Sequence, residues 1–430
     1  MDQETQTTKA FRRWLQQNGA YIHPSAFFAQ GPYGFSLFTS TTLDKDSTIV
    51  SCPFDLILTP LVAKNALQSL VGSQCTLNDR EAVCAYLVLH SAACRMKIEA
   101  VKQPDEINKI LRHQEYIDTL PTSLTTPLFF SEQELELLRG TNLYAATVER
   151  KQQWQEGWRV ALTYLQTLHL TEEDFTWENF IRAQTWLSSR AFPSSLMEDP
   201  PSLFNPTAAP VLVPLVDALN HARGTPISWS IDQRDRNSDN PSPKSLSLVS
   251  HNAIQSGDEL FNNYGPKGNS ELLLGYGFTL PANPDDTLLL KLPGSEHRFT
   301  IARGAQGDAQ AVWDEVGRRL EEGFPREDEM DDDDEDNEDV KNAELQLEIG
   351  QVLPEMLRDL QAKLPRPPER NAPPLVGVRS DIRQMINEYA KGQREILDDL
   401  LAFADTRLKA AIDRAQELGI DITLGSEDED

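Results

Sequence analysis

The stretch Val211 to Gly224 reads VLVPLVDALNHARG: six residues with the character of a buried strand, then an acid, an amide and an imidazole within five positions. An apolar run followed by polar residues delivers Asp217, Asn220 and His221 to one place, where the strand stops. Two readings of that triplet follow from the residues. A helix would put Asp217 and His221 on one face, where a divalent metal could sit, but no third ligand follows at an interpretable spacing, so no metal is expected. The other reading is a turn in which Asn220 and His221 satisfy backbone groups at the strand end. Taken alone, the turn is the better reading.

The chain has 430 residues and 39% hydrophobic composition, enough to bury a sizeable core in two or three domains. No window of 18 apolar residues occurs, and MDQETQTTKAFRRW at the start lacks the apolar centre of an export signal, so no membrane role is expected. The expected location is the cytoplasm, the nucleus or both. Cys52, Cys75, Cys84 and Cys94 form no C-x-x-C pair, which reads as free thiols rather than a zinc site or a disulfide framework.

The formal charge of −27 is uneven, since residues 327–339, EDEMDDDDEDNED, hold 11 of the acids. Such a block repels itself, so a disordered acidic insertion is expected at about 324–340. The net charge argues against nonspecific nucleic-acid binding, and no direct nucleic-acid partner is expected.

Along the chain, AFRRWLQQNGA reads as a short helix stopped at Gly19, after which FSLFT and STIVSC read as strands. From 60 to 192 the pattern is helical, with a capping box at Ser131 and Glu134 and a stop at Gly140. Strand character returns in VLVPLV, PISWSI, SLSLVS and DTLLLKL. Beyond about 305 the apolar residues recur at three and four spacing, as in amphipathic helices packed together. The expected fold class is α+β: a β-rich domain over 10–290 with a helical insertion at about 60–192, then an all-helical domain over 300–420.

A second segment, GDELFNNYGPKGNSELLLGYGF from Gly257 to Phe278, changes the reading of the first. Gly257 and Asp258 form a turn, Leu260 and Phe261 can bury, and Tyr264 arrives beside Gly265, where the missing side chain permits close approach. Tyr276 ends the helix-like part.

DALNH followed by GDELFNNYG and NSELLLGYGF resembles the SET-domain protein methyltransferases, specifically the subgroup typified by the plant Rubisco large-subunit lysine methyltransferase. GPYGFSLFT resembles the glycine-rich cofactor loop of that group, with Ser36 where a second glycine often stands, and SSRAF resembles a segment carrying an arginine at the cofactor edge and a serine at the lysine channel. EYIDTLP and FFSEQELELLRGTNL are similar to the start of the group's helical insertion, and INEYAKGQREIL to its substrate-binding helical domain.

The resemblance implies a knotted, β-rich SET fold and an enzyme that moves methyl groups from S-adenosylmethionine to a lysine amine in a nonhistone protein. It assigns Tyr264 as the catalytic hydroxyl, and Ser189, Phe192, Asp217 and Tyr276 to the substrate channel. Gly34, Phe35, Leu37, Arg190, Asn220 and His221 fall at cofactor-binding positions. The expected partner is a protein substrate such as a ribosomal protein or translation factor, and a monomer is expected. Two alternatives stand beside this reading. One branch of the subgroup methylates histidine and has asparagine where this chain has Phe192; the other alternative is an inactive SET-like interaction module.

The chemistry explains why those residue types suit the task. Methyl transfer to nitrogen is an in-line displacement, so an enzyme mainly aligns donor and acceptor and excludes water. A charged lysine has no lone pair, and a desolvating pocket favours the neutral amine.

Overall fold

The computed structural model describes residues 4–31, 34–198, 202, 205–232, 244–304, 306–323, 335–366 and 375–421. Ten strands are described: β1 (Tyr21–Ile22), β2 (Ala26–Gly31), β3 (Gly34–Thr39), β4 (Ser47–Pro53), β5 (Ala191–Pro193), β6 (Pro210–Leu212), β7 (Ile227–Asp232), β8 (Ser245–Ser250), β9 (Thr287–Lys291) and β10 (Arg298–Ala302). The first helix is α1 (Gln6–Gln17); α2 (Pro60–Val71), α3 (Asp79–Val88), α4 (Ala92–Glu99), α5 (Pro104–Ile110) and α6 (Gln114–Ile117) follow. Then come α7 (Glu132–Glu136), α8 (Asn142–Tyr164), α9 (Trp177–Arg190), α10 (Asn269–Tyr276), α11 (Gln306–Gly323), α12 (Glu335–Ala362) and α13 (Ser380–Glu417).

These elements group into two units: residues 1–124 with 149–266, and residues 125–148 with 267–430. In the first, an antiparallel sheet runs in the order β1-β4-β8-β7, with the hairpin β2-β3 and the pair β5-β6 beside it in sequence but not in its ladder. β4 and β8 bury Val50, Cys52, Leu246 and Leu248 in one continuous core with Phe11, Phe28 and Leu37, and β4 is buried on both of its faces. The helix expected at 10–20 starts earlier, at Gln6, because the Thr5 hydroxyl accepts from the Thr8 amide and caps it.

VLVPLV is not a six-residue strand. β6 stops at Leu212, since Pro214 has no amide hydrogen to give a ladder and Leu215 takes φ +78°, a conformation β-carbons disfavour by roughly 1–3 kcal/mol. Leu215 is fully buried, which holds it there. The turn converts the strand end into the short helical turn Val216–Ala218 that carries Asp217.

The second unit has its own two cores, one under the β9-β10 pair with α11, α12 and α13, the other joining Leu138, Leu143, Leu273 and Tyr389. The Ser131–Glu134 capping box forms as expected, and buried Glu134 also accepts from the Arg379 side chain at 2.7 Å, tying residues near 134 to the start of α13. That guanidinium holds the Glu134 carboxyl down at about 2. Most of the acidic run lies outside the described residues. Its end does not: α12 opens at Glu335, and Asp339 pairs with Arg414 of α13 at 2.6 Å, so those last residues are helical rather than a disordered insertion.

In the same unit, α10 ends in a glycine cap. Gly277 has φ +81°, its amide donates to the Leu272 carbonyl at 2.9 Å, and a β-carbon there would lie 2.7 Å from Thr125 Oγ1 and 3.0 Å from the Thr126 nitrogen. Both the conformation and the space demand glycine. Gly277→Ala should therefore destabilise this unit by about 2 kcal/mol or more in urea unfolding, and an unchanged midpoint would contradict that packing.

Candidate functional site

The site residues of the first unit come from four separated segments. The first is the junction of α9 and β5, where Arg80 of α3 fixes the helix by donating to Gln184 Oε1 at 2.5 Å and to the Ser188 hydroxyl. Beyond that anchor, Ser189 turns its hydroxyl back to the Thr185 carbonyl at 2.8 Å, and Phe192 lies half-buried on β5 opposite Val211 of β6. Carbonyls of the last helical turn lack intrahelical donors, so the α9 end also offers backbone acceptors.

The second segment is the turn after β6. Arg190 Nη1 donates to the Asp217 carbonyl at 2.8 Å and lies 3.8 Å from Asp217 Oδ2, while the Tyr116 hydroxyl donates to that same oxygen at 2.5 Å. The Asp217 side chain is only 1% exposed. Burial pushes its carboxyl up to about 6, against the lowering influence of Arg190 and the Tyr116 hydrogen bond. Two residues on, the Leu219 carbonyl accepts the Tyr264 hydroxyl at 2.9 Å.

The third segment, after Gly257, locks onto the second by backbone pairing. His221 forms a parallel bridge with Asn262: the Asn262 amide donates to the Asn220 carbonyl at 2.8 Å, and the Ala222 amide donates to the Asn262 carbonyl at 2.9 Å. Tyr264 adds to this, since its amide donates to His221 Nδ1 at 3.0 Å and the two rings stack with centroids 5.0 Å apart. A ring nitrogen that accepts carries no proton, so the His221 tautomer is set by this contact. The same segment also pairs with β3, through the Leu260 amide to the Leu37 carbonyl at 2.8 Å.

At the tip of the β2-β3 hairpin, Gly31 pairs with Gly34. Gly34 has φ +105° and no described atom within 4 Å of where a β-carbon would lie, whereas a β-carbon on Gly31 would meet Phe38 at 2.6 Å. Phe35 stacks on Phe28 with centroids 5.3 Å apart. Leu37 is fully buried, so its part at this site is to anchor the hairpin to Leu260 through its carbonyl.

The fold thus gathers Arg190, Asp217, Asn220, His221 and Tyr264 by direct contacts. Tyr276 belongs to the second unit, on α10, where Lys267 lies 5.6 Å from its ring centroid and burial, reinforced by Glu271, pushes its hydroxyl up to about 12. Two residues escaped the sequence reading. Tyr116 has no motif linking it to Asp217, 101 positions away. Glu259 had no role assigned within GDELFNNYG, yet its Oε1 accepts from Asn220 Nδ2 at 2.7 Å. Among the described residues there is no cluster of three or more His, Cys, Asp or Glu that could hold a metal ion.

Known proteins share this architecture. The structure of the SET domain of LSMT bound to lysine and AdoHcy superposes with a TM-score of 0.65 at 17% identity, covering 98% of this chain and 97% of the other. The chain therefore has the SET-domain fold, related to that of Rubisco LSMT, as a mixed β/α region followed by a helical one. The ribosomal lysine N-methyltransferase set10 of Schizosaccharomyces pombe is 34% identical over 304 residues, 68% of this chain and 50% of that protein. The actin-histidine N-methyltransferase of Mus musculus is 24% identical over 304 residues, 70% of this chain and 47% of that protein. The chain thus spans about half the length of the curated relatives it matches. No protein-family model matches it.

The Asp217 environment has a pH signature. Its folded value lies above the ordinary carboxyl value, so folding favours the protonated form; stability from this group is fully present below about pH 4 and is lost as pH rises through about 6. Asp217→Asn keeps an acceptor for Tyr116 and removes the charge. Its stability relative to the unsubstituted protein should shift in its favour by about 2 kcal/mol between pH 4 and pH 7.5 in urea unfolding, and a flat difference would contradict a buried carboxylate.

Proposed function

We propose that the chain is a protein-lysine N-methyltransferase of the Rubisco LSMT-like subgroup, which transfers methyl groups from S-adenosylmethionine to a nonhistone protein. The observation that carries this reading is the joining of the Asn220-His221 segment to Tyr264 by a backbone bridge, a ring stack and the Tyr264–Leu219 hydrogen bond. The SET fold and the relative named for ribosomal lysine methylation support it. A protein of the translation apparatus is the proposed substrate class, with the helices beyond residue 300 as its docking domain.

The residues present fit the cofactor. No described atom lies within 4 Å of where a β-carbon on Gly34 would lie, Asn220 is held by its amide so that its oxygen is turned away from Glu259, and Arg190 spends one nitrogen on Asp217 while keeping further N–H donors. In this reading Gly34, Phe35, Asn220 and His221 cradle S-adenosylmethionine, Leu37 supports the hairpin, and Arg190 takes the carboxylate. When bound, the cofactor supplies an electrophilic methyl on sulfur.

The chain's own residues prepare the acceptor. The Tyr264 hydroxyl donates its hydrogen bond to the Leu219 carbonyl, and in this reading its oxygen accepts from an amine N–H and so aims the nitrogen lone pair. In this reading Ser189 at the end of α9 and Phe192 on β5 line the channel of the first unit, and the aromatic ring encloses the lysine methylenes while desolvation favours the neutral amine. Asp217 acts by bracing, because its carboxylate is occupied by Tyr116 and its carbonyl by Arg190.

Histidine methylation is the second reading, favoured by the resemblance to the actin-histidine enzyme. Phe192 counts against it: a phenyl ring offers no hydrogen bond to orient an imidazole, and leaving a buried ring nitrogen unpaired costs about 1–3 kcal/mol.

The reading is tested by incubating the protein with methyl-labelled S-adenosylmethionine and a lysate lacking the enzyme, then assigning the site by fragmentation mass spectrometry. Methyl-lysine is expected, and methyl-histidine alone would overturn the lysine assignment. Tyr264→Phe should lower kcat by about 100-fold or more while leaving cofactor affinity within about twofold; near-normal turnover in a folded variant would remove Tyr264 from the chemistry.

A further inference from the structure

Glu259 has an environment that the contacts described so far do not explain. It is 9% exposed, its hydrogen-bond partner is the neutral Asn220 amide at 2.7 Å, and among the described residues it forms no ion pair. Its backbone bridges Phe38 of β3, and its other carboxyl oxygen, Oε2, lies 3.4 Å from the β-carbon position of Gly31. The carboxylate therefore stands between the glycine hairpin and the Asn220-His221 turn, touching both. A buried carboxylate with no cation beside it costs stability, and such groups persist where a ligand supplies the missing charge.

We infer that Glu259 is a cofactor-affinity determinant, the counter-charge for the cationic methionine end of S-adenosylmethionine. The inference rests on the reading of this site as an S-adenosylmethionine pocket. That ligand carries an ammonium and a sulfonium against one carboxylate, and the site offers the complementary pair: Arg190 for the anion and Glu259 for the cations. The Glu259–Asn220 bond has a second effect. A carboxylate can only accept, so it fixes the Asn220 amide with its nitrogen inward and presents Oδ1 as a further acceptor for an ammonium. Gly31 is what lets the hairpin approach the carboxylate, since any side chain there would meet Phe38 first.

Glu259→Gln tests this because it keeps the shape and an acceptor for Asn220 while deleting the charge. Two quantities are read: the affinity for S-adenosylmethionine by calorimetry, and the thermal midpoint of the ligand-free protein. The inference expects affinity to fall about tenfold, the scale of one partly screened charge pair, while the ligand-free midpoint stays equal or rises because a buried unpaired charge has been removed. Affinity within about twofold of the unsubstituted protein overturns it. So does a loss of affinity accompanied by a lower ligand-free midpoint, which would make Glu259 a structural brace. If the unsubstituted protein itself binds no S-adenosylmethionine, the cofactor reading fails and the inference falls with it, an outcome distinct from normal binding by both proteins.

Discussion

The pairing of Asn220 and Ala222 with Asn262 is the constraint on which the site depends. Two backbone hydrogen bonds, at 2.8 and 2.9 Å, join segments about 40 positions apart and leave neither free to slide. A shift of one residue would turn His221 away from the Tyr264 amide and ring, and would separate Asn220 from Glu259. Because the same segment also pairs with β3 through Leu260, the glycine hairpin is held in register with the turn. One short ladder therefore sets the relative positions of every site residue that the first unit contributes after residue 216.

Around that ladder, polar groups are buried in unequal ways. Asp217 is compensated: an arginine lies beside it and a tyrosine hydroxyl is bonded to it, although burial still outweighs both and raises its carboxyl. Among the described residues, Glu259 has the Asn220 amide as its donor and no ion pair. Leu215 adds backbone strain at the mouth of the same turn, held by full burial of its side chain. At Leu215 and Asp217 stability is given up, and both lie within a few residues of the atoms that the proposed chemistry would use.

Much of this was legible in the sequence where signals are local. The capping box at Ser131, the β-prone runs SLSLVS and STIVSC, and the amphipathic helices beyond residue 305 are formed as their sequences imply. The two motifs carried the fold by their order along the chain. What escaped was of two kinds. VLVPLV looked like a six-residue strand because hydrophobicity does not report a proline's missing donor or a positive φ at Leu215. β10, at Arg298–Ala302, was missed because it is only five residues long, with Phe299 and Ile301 its two large apolar residues. The contacts of Tyr116 with Asp217 and of Glu259 with Asn220 join residues with no fixed spacing, so only folding brings them together.

The central claim is that the Asn220–Asn262 ladder is a preformed part of a cofactor pocket. Amide hydrogen exchange at Ala222 and Asn262, with and without S-adenosylmethionine, tests it most directly. The account expects both amides to be protected in the free protein, and to exchange still more slowly when the cofactor is present. Exchange at the rate of an open loop, unchanged by S-adenosylmethionine, would contradict it.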